Sequence, residues 1–371
     1  MKIDMHFYGT YAMARTAGLT QEAARTIAYA SQFVDDSAAH EANHTQLSDG
    51  AHIVSEVTAH HSVQAVLDYF ESKLDHDDED QRLIWVPFHF LPGGAGIDWT
   101  ERLVCTKNSK IAQQMVAHHL AHAKSDYALE LMGIMAHVYA DTFAHYGFSG
   151  VSSRRNEVDG DSIRVLRGTD PMEPTEKSGW KARFGKLLKF RNIRAGINDL
   201  IEDATGALGH GGVMVYPDIP YIEWTYKAEQ SGNTQTRDNL EDFMEACREL
   251  HGRFRSFADG CDPSFQDRAA RAEFAGMEPK IREILSFEGD TEQRIVQWRQ
   301  ALSDGSLFAP IQDHVARYRP MNWIGQIEDL KAANSSASVS EANIYRFYQA
   351  ARLHRTFVLR DLLPSHGIVV I

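Results

Sequence analysis

Apolar residues recur every three or four positions along most of this chain, the spacing of helices that turn one face to a core. The stretch LTQEAARTIAYASQFV is the clearest case. Thr20 is placed to cap it, Ala23 is the third helical residue, and Gln21 and Glu22 suit a first turn. The same periodicity predicts helices over 53–74, 109–123, 127–146, 190–208, 236–257, 265–274, Thr291–Ser303 and 341–363. Only 82–89 and 163–167 read as short strands or extended loops. Turns fall at LPGGAG (91–96), RGTDPMEPTEKSG (167–179) and YPDIPY (216–221), each rich in Pro or Gly. No internal repeat or clean linker interrupts the pattern. The expected fold class is all-α, with a helical domain over 1–230 and a C-terminal helical extension, 231–371, packed on it.

One predicted helix breaks its own pattern. GIMAHVYADTFAHYGFSG (133–150) places His137, Asp141 and His145 at four-residue intervals in an apolar segment. A helix turns about 100° per residue, so these three lie on one stripe about 80° wide. Ile134, Met135, Val138 and Phe143 surround it, so the helix reads as buried. Burying His, Asp and His without partners costs several kcal/mol. Either a hydrogen-bond network or bound metal could offset that. Eight residues rise about 12 Å, too far for His137 and His145 to share one ion. Asp141 lies midway and has two oxygens, so the stripe reads as part of a multinuclear metal site.

Composition narrows the choice. With 371 residues, 43% hydrophobic and 24% charged, the chain has the make-up of a soluble globular protein. Its net charge of -13 argues against duplex nucleic acid as a partner. Cys105, Cys247 and Cys261 are too scattered for a zinc knuckle and suit reduced thiols in a cytosol. Any metal must then be held by His and carboxylates. No signal-peptide core and no run of about 20 apolar residues is present, so a cytoplasmic protein is expected. Of the 18 histidines, all but four fall within the first 210 residues, which places the chemistry in the N-terminal part.

That part offers further ligands. Asp4 and His6 form a D-x-H pair whose side chains would share one side of an extended segment. Asp35 and Asp36 close an apolar helix at its C-terminal end, where acids oppose the macrodipole. In TAHH only one of His60 and His61 can point inward, and His210 sits between glycines, where backbone approaches closely. His89, in VPFHFLPGG, reads as a pocket-lining or hydrogen-bonding residue, and His118, His119 and His122 as a solvated face.

The run GIMAHVYADTFAH resembles the signature helix of the zinc-dependent phospholipase C / P1 nuclease superfamily. In motif it is most similar to the phospholipase-like domain of glycosylphosphatidylinositol-specific phospholipase D. Across nearly its full length the chain also resembles a bacterial family with no activity attached, through QFVDD, PFHFLPG, AHVYADTFAHYGFSG and GHG…YPD-P-Y. The superfamily resemblance implies an all-α domain that holds up to three zinc ions and hydrolyses phosphate esters. It puts Asp36 (or Asp35), His60, His137 and Asp141 around one ion, His145 and His210 at a second, and His6 with Asp141 at a third. The sequence departs from the pattern twice. It begins MKID where family members present a processed N-terminal Trp, which leaves Asp4 as the substitute ligand. His210 is followed four residues later by Met214 rather than an acid, which leaves Asp218 or Asp203 for that role. Two ions are expected rather than three.

The chemistry holds without the resemblance. Clustered divalent ions lower the pKa of bound water and neutralise a phosphoryl group, and Asp36 or Asp4 could take the proton. His and Asp donors without thiolate suit Zn²⁺ and are compatible with Mn²⁺ or Fe. Residues 179–196 carry six cations and no acid among Trp180, Phe184, Leu187 and Leu188. Such a basic amphipathic stretch suits an anionic membrane surface or a phosphate. Arg154 and Arg155 follow the signature helix and could grip a phosphate. The expected function is a phospholipase C-type phosphodiesterase. A nuclease or nucleotidase, or a helical interaction protein with structural metals, are the alternatives.

Overall fold

A computed structural model describes residues 1–38, 44–47, 50, 52–59, 81–151, 153–172, 213, 215–332 and 336–370. They are mostly helical, with two small antiparallel sheets. The chain enters through a π-helical turn, Asp4–Gly9, in which the Thr10 amide bonds back five residues to the Met5 carbonyl. This turn runs into α1 (Thr10–Thr16). A wide helical turn thus replaces the extended segment expected at 4–6, and Asp4 and His6 go to different partners.

Helix α2 (Gln21–Asp36) starts as its sequence implies: the Thr20 hydroxyl accepts the Ala23 amide. Its buried face is built largely from small residues, among them Ala23, Ala24, Ala28, Ala30 and Ser31. The short capped helix α3 (Trp99–Arg102) and α4 (Lys110–Ala121) lead to α5 (Ala128–Ala144), which carries His137 and Asp141. Helix α5 crosses α2 at Gly133. A Cβ there would stand 2.4 Å from the Ile27 carbonyl oxygen and 2.9 Å from the Ser31 amide nitrogen. Only glycine lets these helices approach so closely.

Strands β1 (His44–Gln46) and β2 (His52–Val54) form a hairpin-like pair. Strands β3 (Val158–Arg167), β4 (Glu223–Ala228) and β5 (Thr234–Asp238) form a second sheet in chain order, with Trp224 opposite Arg237. Helices α6 (Asn239–Gly260), α7 (Phe274–Leu285), α8 (Thr291–Ser303), α9 (Met321–Ala332) and α10 (Asn343–Thr356) follow. A π turn (Phe357–Leu362) and α11 (Leu363–Ser365) come last. One apolar core runs from Met1 to Ile368, and a smaller one underlies the three-stranded sheet. Among the described residues, no helix is long and apolar enough to cross a membrane.

Hydrogen bonding explains where the structure departs from the periodicity. Residues 53–59 are not helical. Residues 52–54 pair with β1, and 55–59 strap across the end of α2: Ser37 Oγ donates to the Glu56 carbonyl at 2.7 Å and Thr58 Oγ to the Val34 carbonyl at 2.6 Å. The remainder of that predicted helix, and 190–208, lie outside the described residues. The β-like run at 82–89 is a π-helical segment, Gln81–His89, in which Pro87 has no amide to donate and Phe90 N reaches Trp85 O at 2.8 Å. Residues 236–238 belong to β5, and Asp238 then caps α6. Asp262 and Asp267 cap single 3₁₀ turns within 263–270, which delays α7 to Phe274. The strand at 163–167 is real and starts earlier, at Val158.

The expected solvated histidine face on α4 is also corrected. His119 is buried, 1% exposed, and His354 of α10 is fully buried. The three imidazoles of His118, His119 and His354 form a row. His118 Nδ1 lies 3.2 Å from His119 Nδ1, His119 Nε2 lies 2.9 Å from His354 Nδ1, and His354 Nε2 lies 2.8 Å from the Pro87 carbonyl. Burial holds His119 well below the usual histidine range and His354 at about 4. The unfolded chain protonates these rings near 6.5 and the folded one only at lower pH. Between 6.5 and 4 the unfolded state therefore binds more protons, and stability is lost as the pH is lowered, by at most about 1.4 kcal/mol per unit per histidine. Urea midpoints at pH 7 and pH 5 should differ more for the wild type than for His354→Gln. Equal slopes would refute the assignment.

Candidate metal centre

Helix α5 delivers His137 and Asp141 to one buried point, and His145 is its C-cap. Each of three histidines has one ring nitrogen on a backbone carbonyl. His137 Nδ1 bonds to Ser31 O at 2.9 Å, His89 Nε2 to Thr58 O at 2.8 Å, and His145 Nδ1 to His89 O at 2.8 Å. A carbonyl only accepts, so these nitrogens carry the protons. In the neutral rings the opposite nitrogens carry bare lone pairs, the orientation that second-sphere partners impose on metal-ligating histidines.

Those lone pairs face one another. His137 Nε2 is 3.2 Å from His89 Nδ1, and the two stand 3.2 and 3.6 Å from Asp141 Oδ2. Asp35 Oδ1 is 3.7 Å from His137 Nε2 and 3.8 Å from His89 Nδ1. Acceptors at such distances repel unless a cation sits between them. Burial, with the imidazoles of His6 and His89 packed beside it, holds His137 well below the usual range, so its ring gains no second proton. Nitrogen and oxygen ligands about 2.0–2.1 Å from a tetrahedral ion are separated by about 3.3–3.4 Å. The measured separations fit that cage.

The other oxygen of Asp141 turns to a second corner. Its Oδ1 lies 3.2 Å from His6 Nε2 and 2.8 Å from the Met1 amine. Asp218 Oδ1 lies 3.1 Å from the same amine and 3.6 Å from His145 Nε2. His6 stacks on His137 at 3.9 Å, and neither of its ring nitrogens is hydrogen-bonded among the described residues. Burial and the adjacent ammonium of Met1 lower His6 to about 4. Burial disfavours the ammonium itself, but Asp141 and Asp218 outweigh it and raise the amine to about 11. Burial likewise opposes ionisation of Asp141, yet the cationic groups around it hold its carboxyl well below the usual range.

The scaffold fixes each piece. Arg237 reaches from β5 to the end of α5, where its guanidinium donates to the Ala144 carbonyl at 2.6 Å and the Tyr146 carbonyl at 3.2 Å and lies 3.7 Å over the Tyr146 ring. Asn239 holds the 3₁₀ turn of Asp218 through the Tyr216 and Ile219 carbonyls, at 2.6 and 2.7 Å. Gly150 packs on the π segment of His89; a Cβ there would lie 2.9 Å from the Trp85 carbonyl carbon.

Of the residues singled out in the sequence, His6, Asp35, His137, Asp141 and His145 come together, and Asp218 joins them. Asp4 does not: its carboxylate is held by Arg294 at 2.7 and 3.2 Å, and the Met1 amine stands at Asp141 instead. Asp36 turns to Tyr318, whose hydroxyl donates to Oδ2 at 2.7 Å, while Asp35 faces the histidines. Burial, partly offset by Tyr318 and Gln32, raises Asp36 to about 6. Arg155 is tied to Asp98 and Glu101 at the start of α3, and Arg154 is exposed. His89, read from the sequence as a pocket-lining or hydrogen-bonding residue, stands beside His137 and Asp141. His60, His210, Asp203 and 179–196 lie outside the described residues. The cysteines contribute no thiolate: Cys105 is buried, and burial pushes its thiol up.

Residues 1–362 match the profile of a family of unknown function, DUF6765. No curated protein and no solved structure matches the chain.

Proposed function

We propose that this chain, which belongs to the DUF6765 family, is a metal-dependent hydrolase of phosphate esters, of the phospholipase C type, built on a two-ion zinc centre. One observation carries the reading. His89 Nδ1, His137 Nε2 and Asp141 Oδ2 converge within 3.6 Å as acceptors whose protons lie on the far side of each ring. Asp35 flanks that set and also groups with His6 and His137, and a second ion held by His6, Asp141 Oδ1, Asp218 and His145 would displace the Met1 amine from the two carboxylates. Nitrogen and oxygen donors without sulfur fit Zn²⁺, with Mn²⁺ or Fe as the other ions such donors take. Bound there, the ions supply an acidified water and neutralise phosphoryl charge.

The residues supply the rest. Asp141 spans both corners and sets their spacing. Asp35 is the most exposed member of the cluster, its side chain 17% accessible, so protons leave to solvent on its side. Asp36, next in the chain and raised to about 6, is poised to accept a proton near neutral pH. The backbone carbonyls of Ser31, Thr58 and His89 orient the three rings and fix which nitrogen of each carries a proton.

The test is metal content by mass spectrometry, with hydrolysis of bis-p-nitrophenyl phosphate and of phosphatidylcholine vesicles. Two ions per chain, with hydrolysis abolished by chelator and restored by Zn²⁺, is the expected result. Metal without hydrolysis of either substrate would leave a structural centre and overturn the enzymatic reading. No metal uptake at neutral pH would overturn both.

A further inference from the structure

The row of imidazoles has a free end. Proton placement along it follows from its last acceptor. The Pro87 carbonyl requires the proton on His354 Nε2, which leaves His354 Nδ1 as acceptor. His119 must then donate from Nε2 and accept at Nδ1, so His118 donates from Nδ1. His118 Nε2 is thereby left as a bare lone pair on a half-buried ring. That ring is clamped flat against Phe357, with centroids 3.5 Å apart and planes 7° from parallel.

One helical turn on, His122 faces it, with ring centroids 4.9 Å apart. The His122 ring is half-buried, and no hydrogen bond engages it among the described residues. Asp361, on the π turn that follows α10, lies close enough for its charge to act on His118. An oriented ring with a fixed tautomer and a second imidazole at i+4 are what a borderline divalent ion selects. We propose that His118 and His122 form a second, surface site for a divalent transition-metal ion such as Zn²⁺. The row behind His118 acts as its outer shell and ends on Pro87, two residues before His89. The site shares no residue with the buried centre and does not depend on the proposed activity.

Zn²⁺ titration of the full chain tests this, by calorimetry and by ¹⁵N spectra of histidine-labelled protein. The wild type should bind one more ion than His122→Ala or His118→Gln, or bind it at least about tenfold more tightly. His118 Nε2 and a His122 nitrogen should shift together on Zn²⁺ addition, and His118 Nδ1 should carry the proton beforehand. The phase should persist in His137→Ala, which disables the buried centre. Equal stoichiometry and affinity in wild type and both surface variants would overturn the proposal. So would a His118 protonated at Nε2, or loss of the phase in folded His137→Ala alone.

Discussion

Asp141→Ala is expected to lose bound metal at both corners and to be the most damaging single change in the molecule. The carboxylate stands between the two corners: Oδ2 faces His137 and His89, and Oδ1 faces His6 and the Met1 amine. Removing a buried charge from among paired partners typically costs about 3–5 kcal/mol, because the cation it neutralised stays behind. Metal affinity should fall by more than the roughly 10–100-fold seen when only an outer-shell partner is lost. Asp141→Asn keeps the volume and removes the charge. It should lose metal almost as fully while keeping more stability. Metal content and urea midpoints measured on both variants decide the matter. A wild-type metal content in Asp141→Ala would sink the two-corner reading.

Gly133→Val should disable the same centre from a distance. The new side chain would begin 2.4 Å from the Ile27 carbonyl oxygen, so α2 and α5 must separate. Overpacking of this kind costs about 1–3 kcal/mol, and here the obstructing atoms are two backbone atoms and the Cβ of Ala30, none at the far end of a flexible side chain. The separation also withdraws the Ser31 carbonyl, which orients His137 from 2.9 Å. Weaker metal binding should therefore accompany the stability loss. Gly252→Ala is the matched control. It lies within α6, nothing stands within 4 Å of its added Cβ, and it should stabilise by about 0.5–1 kcal/mol. Opposite signs at two helical glycines would tie the effect to the crossing rather than to helix propensity.

The sequence showed the signature stripe because two periods coincided. Four-residue spacing put three polar groups on one line, and the apolar neighbours showed which way that line faced. Thr20 as a cap and the bounds of Thr291–Ser303 were legible because caps are local chemistry. His89 was not assignable to the centre because its position depends on a π turn, whose five-residue hydrogen bond leaves no periodic mark in nine residues. Asp35 and Asp36 were ambiguous for a similar reason: which one turns inward depends on Tyr318, far along the chain. Asp4 was misleading because its partner, Arg294, lies on another helix. The family match leaves these assignments to experiment.

The two π turns that present His6 and His89 carry a constraint of another kind. A π turn holds one residue more than the α-helical turn it replaces. Deleting any single residue from either segment would let the backbone relax to ordinary helix and swing every following side chain by about 100°. Substitutions in those segments alter packing by degrees, whereas a lost codon would carry the histidine out of the centre at once. What descendants of this gene must inherit there is a residue count, and the identities between the histidines and their carbonyl partners are freer to drift.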